Sequence, residues 1–260
     1  MESKYKKVIE VAERAGKIIS GYFGKELVVE EKSTTADFRT KADIESEAVI
    51  IGVLEKIYPK YNIISEERGD IAKGSDSSFI IDPLDGSNNF VLGIPHFSVS
   101  IALIKNKEIV FGVIHHPVTK QTVWAEKGKG AWEGGSQLQV NREANLRRAT
   151  VAYNCGYETP HYLSDKIQAL IYHRGAKRVL KNWAPAWDFA LLAAGKSEGI
   201  INHDNEEFDY AAGKLIAAEA GAIITNFHGK GEVDQLNNEF IVANSDQILS
   251  ELKDVLEEAI

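Results

Sequence analysis

A single cysteine, Cys155, stands in 260 residues, so the chain can form neither an intrachain disulfide nor a cysteine-based zinc cluster. It reads as a small, half-buried residue of a protein kept in a reducing cytoplasm. No run approaches the ~20 apolar residues of a membrane span. Met1-Glu2-Ser3-Lys4-Tyr5 lacks the apolar core of a signal peptide. Both absences point to a cytoplasmic protein with no membrane partner. Positive charge is also short: 30 Lys and Arg against 38 Asp and Glu leave a formal net charge of −8. That balance argues against nucleic acid as a partner. Any phosphate site must draw its positive charge locally, from metal ions, backbone amides or a few lysines. Several motifs are missing as well. There is no Gly-x-Ser-x-Gly elbow of a serine hydrolase. Gly128-Lys129-Gly130-Ala131 lacks the spacing and the Ser/Thr of a P-loop. His115-His116 has no acid or cysteine at metal-ligand spacing.

What remains is ordinary globular material, 44% hydrophobic and 26% charged. Its length suits one large domain or two small ones sharing a core. Helical spacing of Val8, Ile9, Ala12, Ala15, Ile18, Ile19 and Tyr22 predicts an amphipathic helix from Tyr5 to Phe23. A strand is expected to begin at Val28-Val29, followed by a polar loop or hairpin over Glu30 to Asp37. A second helix should run from Thr40 to the residues before Pro59. Strands are expected at Ile63 to Glu67, Ser98 to Ile104, Val110 to Ile114, Gln121 to Ala125 and Leu138 to Val140, with a loop over Arg68 to Ser78.

From about Arg148 strands and helices alternate. Strands are expected at Ala149–Tyr153, Val179-Leu180, Glu198–Ile201, Ala222–Thr225 and Phe240–Val242. Helices should fall at Tyr162–Tyr172, Ala186–Ala194, Asp209–Ala220 and Gln247–Glu258. The first portion thus reads as α+β, two helices on a mainly antiparallel sheet, and the second as α/β. With no Pro/Ser-rich linker and no repeat, the expected organisation is one compact unit of residues 1–146 and 147–260 with a cleft between them.

The stretch that carries chemistry is Phe79-Ile80-Ile81-Asp82-Pro83-Leu84-Asp85-Gly86-Ser87-Asn88-Asn89-Phe90. An apolar strand ends at an acid, and Pro83 is expected to stop it from continuing. A second acid follows, then a Gly-Ser pair suited to a tight turn or a helix start. Taken alone, Asp-x-x-Asp-Gly is an ordinary turn composition. Its setting tilts the reading toward carboxylates that hold a hard cation beside amides that hold a phosphate. Further acids are then required. In Glu66-Glu67, at a strand end, alternation lets only one side chain reach a cleft directly. Asp209 and Asp188 each sit in the first turn of a helix, where an acid usually serves as a cap, and by local pattern the two compete.

These residues resemble the inositol monophosphatase family of magnesium-dependent, lithium-sensitive phosphatases related to fructose-1,6-bisphosphatases. The resemblance runs from Lys32 to the terminal helix. It rests on Ile81-Asp82-Pro83-Leu84-Asp85-Gly86-Ser87-Asn88-Asn89-Phe90, Ser65-Glu66-Glu67, Gly128-Lys129-Gly130-Ala131-Trp132, Phe208-Asp209-Tyr210-Ala211-Ala212-Gly213 and Glu219-Ala220-Gly221. It implies a layered αβαβα sandwich of the sugar phosphatase type. It also implies a phosphomonoesterase that hydrolyses a small polyol or sugar phosphate, inositol-1-phosphate first, by metal-activated water.

The resemblance assigns Asp209, not Asp188, as the ligand from the C-terminal half. One Mg²⁺ would sit on Glu66, Asp82 and the Leu84 carbonyl, and a second on Asp82, Asp85 and Asp209. Manganese is an alternative. Glu67 would hold water or share a third ion with Glu66. Gly86 and Ser87 N–H groups would bind phosphate, with Asp85 and Asp209 also near substrate. Ser87, hydrogen-bonded to Asp43 and standing where the family more often has threonine, would orient or deprotonate the attacking water. Lys32 and Asp37 match a mobile loop that closes over the metals. Counting back from Asp209 puts Asn202 where inositol-specific relatives carry a substrate-binding glutamate. That departure keeps fructose-1,6-bisphosphatase, histidinol-phosphatase and 3′-nucleotidase activities in view. By the same analogy a homodimer is expected, and a non-catalytic transcription- or RNA-associated role is the alternative of a different class.

Overall fold

The apolar stripe of the first helix winds α1 (Lys6–Tyr22) with Val8, Val11, Ala12, Ala15 and Ile19 all buried. This computed structural model describes residues 3–26, 28–31, 38–231 and 235–260. After α1 come the paired strands β1 (Val29–Glu31) and β2 (Phe38–Thr40), then α2 (Lys41–Ile57). The chain continues through β3 (Asn62–Ser65), β4 (Gly69–Ile71), β5 (Ser77–Asp85), the short α3 (Ser87–Val91), β6 (Ser98–Lys105), β7 (Glu108–His116), β8 (Gln121–Glu126), β9 (Ala131–Glu133) and β10 (Ser136–Gln137). Then follow β11 (Thr150–Cys155), α4 (His161–His173), β12 (Arg178–Leu180), α5 (Pro185–Ala193), β13 (Gly199–His203), α6 (Glu207–Glu219), β14 (Ile223–Asn226), β15 (Glu239–Ala243) and α7 (Asp246–Ala259).

Among the described residues the strands form an eight-stranded sheet, β10-β9-β8-β7-β6-β5-β3-β4, and a five-stranded sheet, β12-β11-β13-β15-β14. The larger is antiparallel except where β3 runs parallel to β5. In the smaller, β12, β11 and β13 are parallel and β15 is antiparallel to both neighbours. Alternation along each strand sends side chains to two different cores. Phe79 and Ile81 of β5 pack with Ile19, Ile50 and Leu54 of α1 and α2, while Ile80 packs with Trp187, Ala212 and Ile216 of α5 and α6. On β11, Val151 and Tyr153 meet Ile167 and Leu252 of α4 and α7, while Ala152 faces Phe189 and Tyr210 of α5 and α6. The order of layers is therefore α1/α2, large sheet, α5/α6, small sheet, α4/α7. This is the αβαβα sandwich that the family resemblance implied.

Helices between two sheets have no wet face, which explains why α5 is almost wholly apolar and why α6 buries Tyr210 to Ala217 without a break, keeping its acids near its ends. Close approach is enforced at Gly112 of β7, where a Cβ would lie 2.7 Å from the Ala212 carbonyl oxygen of α6. The Gly128-Lys129-Gly130 turn also belongs to this packing: the Glu219 carboxylate accepts N–H bonds from Gly128 and Gly130, each 2.7 Å long.

Three local expectations need correction. Gly69–Ile71, read as loop, forms β4 against β3. Leu138 to Val140, read as strand, lies beyond the end of β10 at Gln137. Pro83 does not end β5, which runs on to Asp85 with a register shift against β6. Proline is tolerated there because a bulge already breaks the ladder.

Candidate functional site

In a regular strand, residues three apart face opposite sides, so Asp82 and Asp85 could not converge. The bulge removes that conflict: Asp82 pairs with Ser100 and Asp85 with Ser98, so three steps on β5 match two on β6. Asp82 Oδ1 then accepts the Leu84 N–H at 2.9 Å, fixing the turn through Pro83. Asp209 arrives from α6, where it is the third helical residue and its Oδ2 accepts the Glu206 N–H at 3.1 Å. Asp82, Asp85 and Asp209 each bring one carboxylate oxygen to within 4.8 Å of the others. Glu66, just past β3, is close enough to raise the pKa of both Asp82 and Asp209. Its neighbour Glu67 turns toward Arg39, 3.8 Å away.

This crowd of acids strains against its own charge. Burial first, then Glu66, Asp85 and Asp209, hold the Asp82 carboxyl well above its ordinary range. Burial, with Asp85 and Glu66, does the same to Asp209. Burial pushes Asp85 up to about 7, opposed by Ser98 Oγ, which donates at 2.7 Å, and by the Ala186 and Trp187 N–H groups. Asp85 Oδ1 is buried with no hydrogen-bond partner among the described residues. Hard oxygen donors, mutual repulsion and an orphaned buried oxygen all fit a divalent cation.

Beside the acids, Gly86 takes the left-handed conformation, φ +89°, and α3 starts at Ser87. A Cβ on Gly86 would lie 2.9 Å from that of Ala184 and 3.1 Å from the His96 carbonyl oxygen, so glycine is required by space as well as by φ. Ser87 Oγ lies 3.0 Å from Asp43 Oδ1 and 2.9 Å from the Leu84 carbonyl oxygen; its one hydrogen serves one of them at a time. Asp43 is fully buried in a capping box with Thr40, whose N–H and Oγ1 both donate to Asp43 Oδ2.

Several partners were invisible in the sequence. Ser98 and the first N–H groups of α5 converge on Asp85 from distant parts of the chain. Pro185 at the start of α5 was the one local signal that a helix terminus lies there. Asn202 corrects an expectation. It is 0% exposed on β13, its Nδ2 donates to the Asn238 carbonyl at 2.8 Å, and its Oδ1 accepts from Asn205 at 2.8 Å. With one N–H and one lone pair engaged and no exposed surface, the amide presents no edge to a substrate hydroxyl. Lys32 and Asp37 lie outside the described residues. Asp188 stays apart from the converging oxygens: its Oδ1 accepts from Asn182 Nδ2 at 2.6 Å.

Burial also pushes Asp188 up to about 7, with Asp85 adding to the rise. Asp85 and Asp188 of the metal-free fold thus keep protons that an unfolded carboxyl, of pKa ~3.9, has lost. These two acids bind more protons in the folded chain between these values, so their contribution to stability falls as pH rises from about 4 through about 7, opposed by His96, His115 and His116, whose pKa burial lowers. In EDTA, the melting temperature should be higher near pH 5 than near pH 8, and added Mg²⁺ should narrow the gap. A melting temperature that climbs with pH in EDTA would contradict the burial of these acids. Asp188→Asn should keep most of the activity and flatten this pH dependence.

The inositol monophosphatase family profile matches residues 1–259. The fructose-1,6-bisphosphatase/inositol-1-monophosphatase of Thermotoga maritima is 30% identical over 253 residues, covering 96% of each chain. The Nus factor SuhB of Vibrio cholerae is 34% identical over 246 residues, covering 92% of this chain and 91% of that one. Among solved structures, the extragenic suppressor protein suhB from Bartonella henselae superposes with a TM-score of 0.91 at 30% identity, covering 99% of this chain and 100% of that one.

Proposed function

The chain belongs to the inositol monophosphatase family of phosphatases, and from that premise we propose that it is a magnesium-dependent phosphomonoesterase of small phosphate esters. The observation that carries this reading is the convergence of Asp82, Asp85 and Asp209, with Glu66 beside them, next to a helix start at Ser87. Glu66, Asp82 and the Leu84 carbonyl would hold one ion, and Asp82, Asp85 and Asp209 a second, with Glu67 near a third. Divalent ions there would supply counter-charge for the ester oxygens and acidify water for attack on phosphorus.

The chain's own groups do the rest. The Gly86 and Ser87 N–H groups, which no earlier helical turn occupies, would take phosphate oxygens. Asp43, anchored by Thr40, holds the Ser87 hydroxyl where it can orient the attacking water, or take its proton while passing its own to the Asp43 carboxylate. The α5 N–H groups and Ser98 fix Asp85 so that its remaining oxygen faces the site.

Inositol-1-phosphate is the reference ester of this reading. Phosphate release should be measured with and without Mg²⁺ on inositol-1-phosphate, fructose-1,6-bisphosphate, histidinol phosphate and adenosine 3′,5′-bisphosphate. Release from at least one ester should require the ion and be inhibited by lithium. Absence of release from all of them, or equal release in EDTA, would refute the proposal. The SuhB-named relatives leave open a second reading, a non-catalytic transcription partner, but a complete acid set is not needed for one. The proposed protein is cytoplasmic and homodimeric. Among the described residues no helix is long and apolar enough to cross a membrane.

A further inference from the structure

Two exposed aromatic residues flank the turn that would hold the phosphate. Trp183 is 55% exposed and has φ +53°, a left-handed conformation in which a bulky residue is strained. Its neighbours hold it there. The Asn182 carbonyl accepts from Asn89 Nδ2 at 2.6 Å, Asn182 Nδ2 donates to the buried Asp188, and Ala184 packs on Gly86. Tyr157, 59% exposed, reaches the same turn from the loop after β11, its hydroxyl accepting from Asn88 Nδ2 at 3.1 Å. Both rings are therefore tied to residues 86–89, one through the backbone before α5 and one through its own hydroxyl. Strain and exposure together are what a fold retains where a side chain has a ligand to meet. Asn202, meanwhile, is sealed away from any polyol hydroxyl.

We infer that the phosphate ester hydrolysed here carries a flat heteroaromatic ring in its leaving group, stacked on Trp183 and bordered by Tyr157. This rests on the phosphatase reading above and narrows it from polyols to planar heterocycles. Stacking suits such a rim because every aromatic heterocycle presents a π-face, whatever its hydrogen-bonding edge. An imidazole and a purine are both admitted by this chemistry, and the assay separates them.

With Mg²⁺ present, kcat/KM should be measured for histidinol phosphate and adenosine 3′,5′-bisphosphate against inositol-1-phosphate and glycerol 2-phosphate. At least one flat-ring ester should exceed both aliphatic esters by about tenfold or more, the scale of one aromatic stack. Trp183→Gly, in which the left-handed conformation is unstrained, should lower that ratio about tenfold, chiefly through KM. Trp183→Phe should restore part of it, and Tyr157→Leu should lower it without touching the strained position. An aliphatic ester turned over as well as the best flat-ring ester, or a ratio unchanged by Trp183→Gly, overturns the inference while leaving the phosphatase intact. An unchanged ratio with a smaller sedimenting mass would assign Trp183 to a contact between copies instead. No release from any ester overturns the phosphatase reading itself, and this inference with it.

Discussion

Asp85→Asn and Asp209→Asn should each lower magnesium-dependent kcat/KM by about a thousandfold or more, roughly 4 kcal/mol of barrier, while the protein stays folded. The carboxylates sit where a divalent cation would join them, within 4.8 Å of one another along with Asp82. An amide keeps the shape but loses the charge that binds a hard ion. The fold should tolerate the change because each substitution removes one member of a repelling, buried cluster. Melting temperatures in EDTA above pH 7 should therefore equal or exceed the parent's, even as activity disappears. A matched pair of assays, phosphate release and thermal unfolding, reads both halves of the expectation. Should Asp188→Asn be inactive and Asp209→Asn active, the roles of the two aspartates are exchanged.

Gly112→Val should cost about 3 kcal/mol, the upper end for an overpacked core, or roughly 6–12 °C in Tm for a chain of this size. A Cβ at Gly112 would lie 2.7 Å from the Ala212 carbonyl oxygen and 2.9 Å from its Cα. These are backbone atoms of a helix held between two sheets, so no flexible side-chain end can yield. Because Ala212 lies one turn beyond Asp209, activity should fall more than the loss of folded protein explains. Denaturant unfolding and activity per folded molecule separate the two effects. An unchanged midpoint would mean that β7 and α6 do not meet as closely as described.

The Asp82–Ser87 stretch was legible because its meaning is local: an apolar strand, two acids and a glycine turn stand within a few residues. The layer order came from the family resemblance those residues carry; periodicity by itself gave only an α+β portion followed by an α/β one. Asp188 and Asp209 were not distinguishable by pattern, because both occupy a first helical turn and differ only in which neighbours the fold supplies. The bulge at Pro83 was hidden too, since register is set by β6 and not by β5 alone. Asn202 was misjudged because its partners, Asn205 and the Asn238 carbonyl, include one reached only when β15 pairs with β13. Ser98 was overlooked because a strand serine carries no mark of its role until Asp85 is folded beside it.

Helix α6 carries Asp209 in its first turn and Glu219 at its last residue, where the carboxylate grips the Gly128 and Gly130 amides. Ten residues of helix make a stiff rod of about 15 Å. A surface hairpin at its far tip thus acts as a tether on a candidate metal ligand it never touches. Glu219→Ala should loosen that tether and weaken the placement of the first turn of α6. Drift in cation affinity should then arise from a residue well outside the reaction chamber.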